Sequence, residues 1–571
     1  MLRILLSAVG LLTTLLAYGQ VSSLNRPKDP VVLSGTILSK FSSLNPADIV
    51  GFKYVQGVWT QIPIQVDERV WLDIVTPYGP IASITGSPLS PANPKIYFYC
   101  DPSTYTGADP TPTFDNDDEL VFMAQDAGGQ FTGTAYPVGV VAGTKEQITI
   151  TDPLGGVGYV YLFQHAGNLE PSANRKYVNY SSNLTSTAGF PANKTGVNTE
   201  ITTISTANYS WHFSAEWVSD ELKLLTGNNT DILDRYKNFF ADGKCIRDED
   251  MFSGRENAYV TCKAGPVRVI RSYMGAVSGP FTQRTHFFYQ GRHDVATDLR
   301  VHNIASIYDA FDYNPAANNM VYRNNLNPNG VIVNGTTDKV TRGDIVWEQV
   351  SGTPGTISIV HSRATNLTAA EATFTSYYDD NKKRPASNCT GDGQAWGTSG
   401  VGVNFLNSTV CTDPLESGCG VASPNYRTLQ TRMSIYADAA NMVATTASAY
   451  TTKFNNPLIV STGTVNTVAG SSVTSARKEL AADLSTNLTR DFNIYPNPAK
   501  SLVSIWYALP ADQEVSIVFY DLTGRSVIAK KMKGTKGENE AKIDLSALKK
   551  GVYFINLYKD KLQQVHKLIV E

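Results

Sequence analysis

Apolar residues fall on every second position in short runs throughout this chain, a period that pleated strands satisfy and helices do not. "VRVIRSYMG" from Val267, "THFFYQG" from Thr285 and "VATDLRVHNI" from Val295 carry the pattern most clearly. Between the runs lie turn formers, drawn from 44 glycines and 28 prolines in 571 residues. Near the N-terminus, Val31 to Leu38, Ile49 to Tyr54 and Trp59 to Val66 read as strands, followed by Lys95 to Tyr99, Glu119 to Ala124 and Gln147 to Ile150. A helical pattern is confined to Asp220 to Leu225 and Asp438 to Ser448. No self-similarity recurs at about 20–50 residues, so a propeller of repeated blades is not expected.

The length exceeds one ordinary core, and the fold class expected is all-β in several domains. The division reads as a signal peptide over 1–19, an N-terminal β-barrel or sandwich over 20–150 and a large central β-sandwich over 151–460. A Ser/Thr-rich linker over 461–490 and a small Ig-like β-sandwich over 491–571 complete it. Arg3, the apolar run Ile4 to Leu16 and Ala17-Tyr18-Gly19 form the three parts of a cleavable secretory signal, with the mature chain starting at Gln20. No later segment is apolar for long enough to span a bilayer as a helix.

Six cysteines, Cys100, Cys245, Cys262, Cys389, Cys411 and Cys419, fit an oxidising compartment. Cys245 and Cys262 flank a turn and are placed to staple neighbouring strands, though the sequence does not choose among the connectivities open to six cysteines; no CxxC pair supports a zinc site. The net charge of −3 gives no reason to expect a nucleic acid or an anionic membrane as partner.

Regularity peaks at the C-terminus. Val503, Ile505 and Tyr507 alternate, then Val515, Ile517 and Phe519, then Val552 to Leu557 forms a further strand. Six or seven strands in this span make a small sandwich. "YPNPAKSLVSI", "VSIVFYDLTGRSV", "IDLSALKKGVYFINL" and the closing "KLIV" resemble, in order and spacing, the type A C-terminal sorting domain of the type IX secretion system. The resemblance implies a Bacteroidetes-type bacterium, export across both membranes and contact with the translocon and a cell-surface sortase. The product would be released or attached to the outer-membrane surface, and the module itself is not expected to do chemistry.

In the body, "IPIQVDER" from Ile62 and "FDNDDELVFMAQDAG" from Phe114 resemble the N-terminal domain found beside some polysaccharide-lyase-like sandwiches. Asp115, Asn116, Asp117, Asp118 and Glu119 bring hard oxygen donors into one loop, which suits a structural calcium; the usual EF-hand spacing is absent, and a solvated acidic turn is the alternative. A second constellation spans Gly265 to Ile304, with His286, His293 and His302 among five arginines. Alternation puts Asp298, Arg300 and His302 on one strand face, and Arg284, His286, Phe288 and Gln290 on one face of another.

If those faces coincide, Arg284, His286, Arg300 and His302 form a polar stripe able to neutralise a uronate, with Tyr289 or Tyr273 as a phenol for proton transfer. The strands resemble mutarotase-like sandwiches of carbohydrate-active proteins. An outward-facing, solvated sheet surface is the alternative. "CTGDGQAWGTSGVGVNF" adds Trp396 on a Gly-rich loop, where a sugar-stacking and a core-covering role both fit. No GxSxG, HExxH or P-loop motif is present, and no cofactor is expected beyond that calcium.

The function expected is therefore that of a secreted or surface protein whose body binds or cleaves acidic polysaccharide. If it is an enzyme, a lyase-like activity fits best; the other class that fits is a non-catalytic adhesin or structural surface protein.

Overall fold

The computed structural model describes residues 21–74, 76, 95–182, 201–214, 219–240, 258–274, 282–299, 305–383, 394–406, 427–462, 465–468, 493–495, 499–509, 512–520, 526–559 and 562–570. The signal sequence, Arg300, His302, Cys245, Cys389, Cys411 and Cys419 lie outside them. Strands dominate, and the protein is all-β. No helix among the described residues is long and apolar enough to cross a membrane.

Two layers make the N-terminal unit. One is a three-stranded sheet of Pro30–Ser34, Glu119–Met123 and Gln65–Asp67. The other has six strands in the order Val465–Val468, Ile459–Thr462, Glu146–Thr151, Val157–Gln164, Ile49–Val55 and Val58–Ile62. Phe114, Leu120, Phe122, Ile148, Ile150, Val160 and Leu162 fill the space between, with Leu458 and Val460 from the far end of the body. Both sheets are open, so among the described residues this is a sandwich and not a closed barrel. The hairpin of Ile459–Thr462 and Val465–Val468 occupies the start of the segment expected to be a linker, and Val460 registers against Ile150. The rest of that segment to residue 490 is outside the described residues.

Behind this unit stands the central sandwich. Its eight-stranded sheet runs Val178–Ser182, Thr202–Thr206, Tyr209–Phe213, Ser219–Leu224, Leu233–Phe240, Ser306–Tyr313, Thr398–Phe405 and Ala372–Asp379. The nine-stranded sheet runs Ala258–Ala264, Val269–Met274, Gln283–Phe288, Arg292–Leu299, Leu429–Asp438, Gly355–Thr365, Trp347–Gly352, Val321–Asn324 and Asn327–Ile332. One core joins their facing sides, with Trp211, Phe213, Tyr236 and Phe311 from the first and Val269, Phe288, Val295 and Ile435 from the second.

Both expected helices move. Asp220 to Leu225 belongs instead to the strand Ser219–Leu224, because Leu222 and Leu224 bury at a period of two against Tyr209–Phe213. Pairing with the preceding strand of the hairpin overrides the local helical preference of "ELKL". The helix is Ala444–Asn455, starting beyond Asp438, which ends a strand. Arg26 fixes its C-terminus, donating to the Lys453 carbonyl at 2.9 Å and to the Asn456 carbonyl at 2.5 Å, while pairing with Asp29 and Asp152. A guanidinium there satisfies carbonyls that the last turn leaves open.

Among the described residues the C-terminal module has seven strands: Asn493–Tyr495, Leu502–Leu509 and Gly537–Asp544 in one sheet, and Ser526–Gly534, Gln513–Tyr520, Gly551–Lys559 and Leu562–Val570 in the other. Every alternating residue singled out from the sequence, Val503, Ile505, Tyr507, Val515, Ile517 and Phe519, is buried in a core of its own.

Candidate functional site

Two of the sequence motifs meet at one arginine. Arg268, fully buried, donates from Nε to Asp67 at 2.8 Å and from Nη2 to Glu119 at 2.6 Å. Gln65 completes the joint: its Oε1 accepts from the backbone N–H groups of Val267 and Arg268, and its Nε2 donates to Asp67. Gly265 makes room, since a Cβ there would stand 2.1 Å from the Gln65 side chain. The "QVD" and "DELVF" strands thus lock the N-terminal unit onto the central sandwich. Glu119 is occupied here, accepting also from the Tyr99 hydroxyl at 2.9 Å, and so leaves the acidic loop that was expected to include it.

The polar stripe expected on a sheet surface faces inward. Arg284 registers against Thr297 and His286 against Val295, whereas Asp298 registers against Gln283 on the opposite face. His286 and His293 share a 2.9 Å Nδ1···Nε2 hydrogen bond deep between the sheets, stacked with Phe288. Burial, followed for His286 by the charge of its neighbours, holds both imidazoles well below the usual histidine range, so they are neutral. Tyr289 is buried apart from them, beside Arg268. These groups form core, not a groove. Trp396 is likewise core, bonded to Gln394 through its indole N–H.

Arg284 nevertheless points to a site that the sequence does not reveal. Its Nη2 donates to Asp309 at 3.2 Å, and Asp309 lines a cleft between the sheets of about 470 Å3 including its mouth. Leu299, Ile345, Phe374 and Val403 supply apolar walls, and His361 and Asp309 supply polar groups. His361 bonds through Nε2 to the fully buried Glu348 at 3.0 Å, leaving Nδ1 without a partner. A carboxylate acceptor puts a proton on Nε2. Burial raises the Asp309 carboxyl, with Arg284 pulling the other way. At the rim, Arg363 pairs with Asp344 at 2.7 Å and stacks over Phe374 at 3.7 Å. Asp309, Glu348 and His361 are single residues on three separate strands, so no local spacing could have signalled them.

The acidic loop retains three of its five expected members as a cluster. One carboxylate oxygen from each of Asp115, Asp117 and Asp118 lies within 4.8 Å of the others. Asp118 is wholly buried and pushed up to about 7, mainly by burial; Asp117 is raised by burial and then by Asp115. Asn116 is exposed and holds the Ser34 hydroxyl through its backbone carbonyl. Beside the loop, a groove of about 1140 Å3 with its mouth runs along the junction of the two units. Cys100 and Cys262 line it, and no disulfide occurs among the described residues; Cys245, placed by the sequence to pair with Cys262, lies outside them. Burial, with Asp109 nearby, pushes the Cys100 thiol up to about 12.

Residues 493–571 match the family described as the secretion system C-terminal sorting domain. The chain is exported cargo of the type IX secretion system. The sorting domain indicates delivery to the cell surface or the medium and contact with the secretion machinery. No curated protein matches the chain.

Among solved structures, it is similar to a heparan sulfate lyase HepC mutant from Pedobacter heparinus at 7% identity and a TM-score of 0.25, over 55% of this chain and 44% of that one. A putative aldose 1-epimerase from Escherichia coli is similar at 11% identity and 0.20, over 42% of this chain and 98% of that one. Latent PorU from Porphyromonas gingivalis is similar at 11% and 0.13, over 72% and 35%. This chain thus spans less than half of the lyase and about a third of PorU. At these scores none of the three likenesses bears on function.

Proposed function

We propose that the body engages a glycan through the cleft between the two central sheets, so that the sorting domain delivers a carbohydrate-directed module to the cell exterior. The observation that carries this reading is the meeting, in one open cleft, of apolar walls with His361 and Asp309. Sugar rings present apolar C–H faces together with hydroxyls, and sites for them combine such walls with a few fixed donors and acceptors. Asp309, braced by Arg284, accepts from a hydroxyl, with His361 in the wall beside it. The expected polysaccharide cleavage is kept only as an assay outcome, since the arginine and histidine residues assigned to it that are described lie in the core.

The test is calorimetry of the exported chain against a panel of neutral and acidic oligosaccharides, followed by His361→Gln and Phe374→Ala on whichever ligand binds. The expected result is a loss of about tenfold or more in affinity for each variant, with little change in melting temperature. Absorbance at about 235 nm with uronate polymers reports elimination. Absence of binding and of absorbance change across the panel overturns the reading and leaves the adhesin or structural role.

A further inference from the structure

We propose that the Asp115–Asp118 loop is a calcium site, with the carboxylates of Asp115, Asp117 and Asp118 as protein ligands. The three ligand oxygens lie within 4.8 Å of one another, a span that a single ion with oxygen ligands at about 2.3–2.6 Å can bridge. The independent sign is Asp118. It is 0% exposed, its Oδ2 accepts from the Asp115 N–H at 2.9 Å, and its Oδ1 has no hydrogen-bond partner. A buried carboxylate oxygen without a partner is expensive, and a bound cation is the partner that the surrounding ligands would supply.

Nearby cationic charge is already committed. Arg69 bonds the Asp117 carbonyl, pairs with Glu119 and lies over the Tyr97 ring, so it does not stand in for the ion. The loop is also held in place. Gly35 donates to the Asp118 carbonyl at 2.8 Å, and a Cβ at Gly35 would collide with the Asp115 carbonyl at 1.7 Å. Oxygen donors without nitrogen or sulfur select a hard cation, and the flexible ligand number of calcium suits three clustered carboxylates better than the strict octahedron of magnesium. Export fits as well, because extracellular calcium modules work at dissociation constants of about 10⁻⁴–10⁻³ M. This site is separate from the cleft and does not depend on the glycan reading.

The exported chain, stripped with EDTA and dialysed, is titrated with CaCl2 by calorimetry and by thermal melting. One binding event and a rise of several degrees in melting temperature are expected. Asp118→Asn keeps the side-chain shape and removes the buried charge. It is expected to melt no lower than the stripped parent, yet to bind calcium at least tenfold more weakly. Asp117→Asn gives the same weakening and decides the matter if the first variant does not fold. Absence of calcium binding to the parent at millimolar concentration overturns the site, as does unchanged affinity in the folded variants.

Discussion

Arg268 shows how much a single buried charge can hold. Its two carboxylate partners sit on different strands of the N-terminal unit, and all three groups are shielded from water. Replacing it by methionine leaves Asp67 without a counter-charge in the interior, bonded only by Gln65, and Glu119 with Arg69 and Tyr99 alone, and a loss of roughly 3–5 kcal/mol is expected in urea denaturation. Adding Asp67→Asn to that variant should recover part of the loss, since one stranded charge is then removed. The His286–His293 pair gives a pH signature. Both are held below their unfolded value, which is about 6.5. Their contribution is therefore complete above that value and is lost as pH falls, because unfolding releases imidazoles that take up protons. Urea midpoints should decline between about pH 7 and about pH 5; a level profile would contradict their burial as neutral rings. At this scale the sequence identified which residues bear chemistry and which share a strand face. It did not say whether that face meets water or a second sheet, because a register between distant strands is set by the partner strand and not by the strand itself.

Strands were legible wherever alternation was strict, as in Lys95–Tyr99 and throughout the sorting domain. The helix Ala444–Asn455 was legible only over its first five residues, since its Thr-rich sequence is a weak helix former and the arginine at its end comes from the start of the chain. The hairpin at 459–468 was hidden for a similar reason: its reason to be extended is an open sheet edge at Glu146–Thr151. Two expectations follow at the level of elements. A fragment of residues 20–150 lacks the strands Val157–Gln164 and Ile459–Thr462 that complete its sheet, and it should show no cooperative melt, whereas a fragment of residues 20–468 should. Val460→Asp, at a position with 0% exposure in that core, should cost roughly 3–5 kcal/mol, read as a fall in the urea midpoint.

On the scale of the whole molecule, cargo and address are separate pieces of chemistry. The sorting domain has its own core, and among the described residues none of it belongs to the cores of the body. Deleting residues 493–571 should leave the calorimetric transition of the body within about 1 °C of its position in the full chain, in line with independent domains. The same deletion should abolish recovery of the protein from the cell surface and medium, checked by fractionation and immunoblotting. The address was legible in the sequence because it is a contiguous run of strands with turns at fixed places. The cleft was not, because it is assembled from strands scattered along the body.

The strand Ile459–Thr462, laid against Glu146–Thr151, also has a kinetic consequence. A ribosome emits the first of these partners long before the second, so the leading unit cannot reach its finished state until residues 459–462 have followed. Closing so long a loop is slow compared with local pairing. Until then the six-stranded sheet of the leading unit is incomplete, so its core closes late in folding.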